Sequence, residues 1–224
     1  MSVKHYDWVA HHANMRGDKV AIVDLDTGTE LTYAELDQRA SKLAAWMQSK
    51  GMAKGDRVAI LAPNCPEIFE TAFACAKIGA ICLPLNWRLT VPELEYILKD
   101  SSPKLLISDV KFAREANELV SLCKVALELQ LDPENANCSY ATNVAAASTD
   151  YEAALCHHDD VAMIMYTSGT TGPPKCAMIT HANLISFINA SADAFPFEAG
   201  DRAIAFLPLA HVAQRVLGFY CQIS

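Results

Sequence analysis

Val161-Ala162-Met163-Ile164-Met165-Tyr166-Thr167-Ser168-Gly169-Thr170-Thr171-Gly172-Pro173-Pro174-Lys175 joins an unbroken apolar run to a loop of hydroxyls, glycines and one lysine. The run 161–165 suits a strand buried on both faces, as in a sheet covered by helices on either side. Residues 177–179 read as a second apolar strand, and Thr180-His181-Ala182-Asn183-Leu184 then opens a helix with Thr180 or His181 at its cap. Strand, polar loop, strand and helix start form one extended unit.

Upstream, strands and helices alternate. Residues 20–25 end in Asp26-Thr27-Gly28, a hairpin-turn signal, and residues 30–32 return as a short strand. Thr32 with Glu35 three residues on is a capping box, predicting a helix to about Ser49 with Gly51 as its stop. Strands follow at 57–62, 80–83 and 105–108, and helices at 66–77, 91–99 and 112–122. Gly79 ends the first of these helices, and Pro92 sits in the first turn of the second, where proline is tolerated. This order predicts an α/β fold, mostly parallel sheet covered by helices. Residues 131–148 are rich in Asp, Asn, Ser, Thr and Ala and read as a loop or surface excursion. No fixed-period repeat is present, which excludes a solenoid.

The composition bounds the function. The chain has 224 residues, 52% of them apolar and 20% charged, enough to bury a core without disulfide or metal staples. Its 18 basic and 26 acidic residues give a net charge of −8, without the basic face that nucleic-acid binding needs. The first twenty residues carry Lys4, His5, Asp7, His11, His12, Arg16 and Asp18, so they lack a signal-peptide core. The longest apolar stretch, 71–85, is broken by Lys77 and Pro84 and is too short to span a bilayer. A cytoplasmic protein with no transmembrane segment is expected. The eight cysteines form no Cys-x-x-Cys pair and read as buried small hydrophobes. Cys156-His157-His158-Asp159-Asp160 holds metal-ligand types, but neighbours in sequence cannot converge on one ion, so it reads as a solvated lead-in to the next strand.

The chemistry lies in the loop. Residues 167–175 hold four hydroxyls, two glycines and a lysine. Glycines let backbone N–H groups approach a ligand, hydroxyls add donors, and a lysine follows phosphate charge. The spacing is not the Walker loop, because Pro173-Pro174 separates Gly172 from Lys175 and Cys176 follows the lysine. A polar turn punctuated by two prolines remains the alternative to a phosphate cradle.

Residues 167–175, with 178–184 behind them, resemble the nucleotide-binding signature of the AMP-forming acyl-CoA synthetases. That superfamily also holds peptide-synthetase adenylation domains and luciferases. Phe206-Leu207-Pro208-Leu209-Ala210-His211-Val212-Ala213-Gln214-Arg215 resembles its downstream motif. Leu31-Thr32-Tyr33-Ala34-Glu35-Leu36, Gly55-Asp56-Arg57-Val58-Ala59-Ile60 and residues 79–88, ending in Asn86-Trp87-Arg88, also match its style.

The resemblance implies a fold and a reaction. Residues 1–224 would form an incomplete amino-terminal large domain of an adenylate-forming enzyme. A carboxylate attacks the α-phosphorus of Mg-ATP to give acyl-AMP and pyrophosphate, and the thiol of coenzyme A then displaces AMP. By the same resemblance Thr167, Ser168, Gly169, Thr170, Thr171 and Gly172 cradle the β- and γ-phosphates, and Lys175 neutralises them. His211 is the catalytic candidate, near the carboxylate and the thiol channel, although Pro208 and the pattern after it also suit a histidine capping a helix. Arg215, one turn on, reads as structural, pairing with an acidic side chain. The wording of residues 207–215 leans towards the long-chain fatty-acid branch. A fatty acyl-AMP ligase, an aryl- or amino-acid-activating relative, and a non-catalytic short form binding nucleotide or a partner are the alternatives.

The sequence departs from the family pattern in two ways. Cys176 stands where the family places glycine, and would be strained if its φ were positive. The family's ribose-binding aspartate, main magnesium ligand, hinge and adenylation lysine lie beyond the histidine motif and are absent from these 224 residues. The isolated chain is therefore expected to be inactive, and to self-associate through uncovered apolar surface.

Overall fold

The computed structural model describes residues 7–167, 174–194 and 200–211, together with Arg215, Gly218 and Phe219. A hairpin of β1 (Val20–Val23) and β2 (Glu30–Thr32) leads into α2 (Tyr33–Ser49), behind a first helix α1 (Trp8–Arg16). The capping box at its start is formed: Thr32 Oγ1 accepts from Glu35 N at 3.2 Å, and Glu35 Oε2 accepts from Thr32 N at 2.8 Å. The alternation then runs β3 (Arg57–Leu61), α3 (Pro66–Ile78), β4 (Ile81–Pro84), α4 (Val91–Ser101), β5 (Leu105–Asp109), α5 (Ala113–Cys123), β6 (Leu127–Leu131) and α6 (Ser139–Ala146). The signature follows as β7 (Val161–Thr167), β8 (Lys175–Thr180) and α7 (His181–Ala194).

Six strands form one sheet in the order β6-β5-β3-β4-β7-β8. The pairs β5/β6, β3/β5, β3/β4 and β4/β7 are parallel, and β7/β8 is antiparallel. This is the mostly parallel, helix-covered sheet expected from the sequence. Strand side chains alternate between two cores. Val58, Ile60, Leu105, Ile107, Met163 and Met165 face the layer of α1, α2, α3 and α6, with Leu184 and Ile188 of α7. Ala59, Leu61, Leu106 and Ile164 face α4 and α5. Both faces are buried, which is why the strands read as apolar runs.

Charged side chains lock the first layer. Lys77 is almost fully buried, and its Nζ lies 2.6 Å from both Asp7 and Asp37, tying α3 to α2 and to the start of α1. Burial alone pulls Lys77 down, but the two carboxylates outweigh it and hold the ammonium charged. Gly79 closes α3 at φ 69°, and a Cβ there would lie 3.0 Å from Ala154 Cβ and Lys54 Cγ. Only glycine meets both conditions without strain.

Residues 131–148 are not the loop expected from composition. The polar turn is confined to its first part, and α6 follows, capped by Cys138 Sγ accepting from Ala141 N at 3.4 Å. Tyr140 and Val144, one turn apart, are buried against α2 and β6. The Ala-rich context hid this two-residue apolar stripe. Strand β6, also unread, alternates apolar and polar residues because it is the edge strand. Among the described residues no helix is long and apolar enough to cross a membrane.

Candidate functional site at the carboxyl edge of the sheet

The parallel strands β3, β4, β5, β6 and β7 all end on one edge. From that edge β3 leads to α3 on one face and β4 leads to α4 on the other, so the chain parts between adjacent strands. Such a parting opens a crevice outside the strand ends, the usual ligand position in open α/β sheets. Thr167, which opens the hydroxyl-rich loop, ends β7 on this same edge, and Asn64 holds residues 205–209 over the end of β3.

The loop is a hairpin connection. Thr167 and Lys175 face each other as the last pair of β7 and β8, preceded by Tyr166 with Cys176 and Met165 with Ala177. The ends of the signature are thus fixed side by side, both exposed. Ser168, Gly169, Thr170, Thr171 and Gly172 lie outside the described residues. Tyr166 anchors the root of the loop: its hydroxyl donates to Asp100 Oδ2 of α4 at 2.6 Å. Burial and the Asp100 carboxylate push that phenol well above its ordinary range, so it remains a donor at all working pH values.

Cys176 carries no backbone strain. It lies in a regular strand, and the positive-φ residues other than glycine among those described are Ser102 and Lys124. A side chain in place of glycine therefore costs nothing in the backbone here.

The histidine motif is held by one asparagine. Asn64, just after β3, donates from Nδ2 to the carbonyls of Ala205 at 3.0 Å and Leu207 at 2.8 Å. Its Oδ1 accepts from Leu209 N at 2.9 Å. This side chain supplies the hydrogen bonds that a neighbouring strand would give, and fixes residues 205–209 over the end of β3. His211 follows, exposed, with its N–H on Pro208 O at 2.8 Å and its carbonyl accepting from Arg215 N at 2.9 Å. These two backbone bonds bracket His211, whose side chain is exposed. His211 and the loop are carried by β3 and β7, with β4 between them. At the usual strand spacing this separates their supports by about 10 Å, the span of a small substrate.

Arg215, read as structural from the sequence, lies in the core. It is completely buried, with its guanidinium 4.3 Å from the Phe219 ring and Nη2 3.4 Å from Cys82 Sγ. Phe219 in turn stacks on Phe69 at 4.5 Å and Phe73 at 5.5 Å. Sequence reading passed over Asn64 and Asp100, whose partners are 141 and 66 residues away. The one local signal was a polar residue directly after a buried strand. In the 156–160 segment, Asp160 accepts from Lys54 Nζ at 2.6 Å and from His157 N at 2.6 Å. Its carboxylate serves the lead-in to β7, as the sequence suggested.

A family model described as AMP-binding enzyme matches residues 9–224. Feruloyl-CoA synthase of an Amycolatopsis species is 38% identical over 215 residues, covering 96% of this chain and 40% of that protein. Long-chain-fatty-acid–CoA ligase FadD13 of Mycobacterium tuberculosis is 36% identical over 199 residues, covering 86% of this chain and 38% of that protein. The inhibitor-bound N-terminal domain of FACL13 from Mycobacterium tuberculosis superposes with a TM-score of 0.89 at 30% identity, covering 100% of this chain and 55% of that one. The chain thus spans less than half the length of the curated relatives it matches.

Proposed function

The chain belongs to the AMP-binding enzyme family, and from that premise we propose that it supplies the phosphate-binding part of an ATP-dependent ligase joining a carboxylic acid to coenzyme A. The observation that carries this reading is the Thr167–Lys175 pair, which closes a glycine- and hydroxyl-rich loop at the carboxyl edge of the parallel sheet. In this reading residues 1–224 are the amino-terminal part of the large domain.

The chemistry needs negative charge held as pyrophosphate leaves. A carboxylate oxygen attacks the α-phosphorus, the bond to the bridging oxygen breaks, and pyrophosphate departs. Thr167, Ser168, Gly169, Thr170, Thr171 and Gly172 donate to the β- and γ-phosphates, and Lys175 offsets their charge. His211, exposed over the end of β3, faces the acyl group as the thiol of coenzyme A displaces AMP. Magnesium accompanies the ATP, with its main protein ligand expected beyond this chain. Among the described residues no group of three or more His, Cys, Asp or Glu could hold a metal ion.

The acid is a fatty acid in the first reading, supported by the wording of residues 207–215 and by the likeness to FadD13. An aryl acid is the second, supported by the likeness to feruloyl-CoA synthase. Pyrophosphate exchange by the full-length protein that contains this chain decides between them. Palmitate should support faster exchange than ferulate, and the reverse order would install the aryl reading. Lys175→Ala should lower exchange about a hundred-fold with any acid. Unchanged exchange in that variant would sink the loop assignment. The 224-residue chain by itself should form no ATP- and CoA-dependent thioester.

A further inference from the structure

The hairpin of β7 and β8 joins the parallel sheet through a short ladder. β7 meets β4 at one register pair, Cys82 with Met163, whereas β3 meets β4 and β5 through four pairs each. Past Met163, side chains tie β7 to the layers around it. Alternation along the strand turns Met165 to the α2 and α3 side, and Ile164 and Tyr166 to the α4 and α5 side. Tyr166 is the last residue before Thr167, and its hydroxyl donates to Asp100 Oδ2 at 2.6 Å. Tyr166 also shares a rung with Cys176, the neighbour of Lys175. One hydroxyl thus links both roots of the loop to α4. Asp100 is exposed in the last turn of α4, where a carboxylate opposes the helix dipole. Lys99 beside it is engaged by Glu95 one turn earlier. The side chain that bonds Asp100 is Tyr166, 66 residues away, and that contact offsets the local cost of an acid at this position.

We propose that Tyr166 and Asp100 are positioning residues for the triphosphate of ATP: their hydrogen bond fixes how β7 and β8 leave the sheet, and so where Thr167 and Lys175 stand. The proposal rests on the ligase reading given above. A phenol donating to a carboxylate makes a charge-assisted, directional bond, which sets geometry as well as adding stability. Thr167 and Lys175 face each other on one rung, so a shift of one strand end carries both. A displacement of about 1 Å is enough to weaken contacts to a reacting group severely. Neither Tyr166 nor Asp100 has to touch the nucleotide for this. The effect belongs to ATP and not to the acid, because Asn64 holds residues 205–209 independently of the hairpin.

The test measures pyrophosphate exchange by the full-length protein that contains this chain, with ATP and acid varied separately. Tyr166→Phe and Asp100→Ala should each raise the KM for ATP about fivefold or more and leave the KM for the acid unchanged. The double variant should be no worse than either single one, because both remove the same bond. Asp100→Asn keeps an acceptor oxygen and should recover most of the loss. In the 224-residue chain, Tyr166→Phe should speed amide exchange about threefold or more in peptides covering 161–167 and 175–180, with β3 unchanged. An unchanged KM for ATP in both single variants, or additive losses in the double one, would overturn the proposal, even if both variants were less stable to urea. Wild-type protein without exchange on any acid would overturn the ligase reading instead. The tether itself is then decided by amide exchange in the chain, and unaltered exchange in Tyr166→Phe would sink it.

Discussion

Glu70 shows how one buried carboxyl sets a pH dependence. It is fully buried on α3, where its Oε2 accepts from the Tyr140 hydroxyl at 2.7 Å and its Oε1 lies 2.7 Å from Arg39 Nε. Glu67 competes for the same arginine at 3.3 Å. Burial pushes Glu70 from 4.5 up to about 7, although Arg39 pulls the other way. The folded chain therefore binds this proton more tightly than the unfolded chain between those two values. Stability from this group falls as pH rises through that window, the reverse of a salt-bridged carboxylate with a depressed pKa. Urea midpoints at about pH 5 and about pH 8 should fall for the wild type relative to Glu70→Gln. Parallel behaviour of the two proteins would show that Glu70 is not the responsible group.

At the element scale, the segment before His211 depends on a contact that no local pattern supplies. Residues 205–209 form no ladder pair among the described residues, and Asn64 satisfies three of their backbone groups. Asn64→Ala leaves those groups to water, at a cost of about 1–3 kcal/mol for the segment. Faster exchange of the Leu209 amide is expected, with β3 and α3 unchanged. Equal protection of Leu209 in both proteins would mean that other contacts hold the motif. Helix α6 makes the same point from the other side: Tyr140 reaches Glu70, so a stretch with loop-like composition becomes a packed helix.

At the scale of the whole molecule, the described residues place an apolar edge at the surface. Strand β8 is last in the sheet, and Met178 on it is 69% exposed, while Ile204 and Phe206 are 72% and 76% exposed. An edge strand carrying exposed large apolar side chains favours association with another chain. Sedimentation of the 224-residue chain should show concentration-dependent self-association, and Met178→Lys should weaken it. A monomer at all concentrations would count against this edge as a sticky surface. The same architecture brings the ends of five parallel strands to one side, which is why motifs from distant parts of the chain can meet there.

Apolar runs bounded by glycine, proline and capping residues determined the α/β class, the helix starts at Tyr33, Pro66 and Val91, and the Thr167–Lys175 loop. These are local effects: a capping box, a left-handed glycine or a buried strand needs only neighbours within a few residues. Tertiary structure alone decided the strand order, the helix at Ser139–Ala146, and the burial of Arg215 against Cys82 and Phe219. It also decided that Cys176 sits in an unstrained strand and that Asn64 carries the His211 segment. Each of these depends on groups far apart in the chain, where a polar residue's value is set by the partner that folding brings to it.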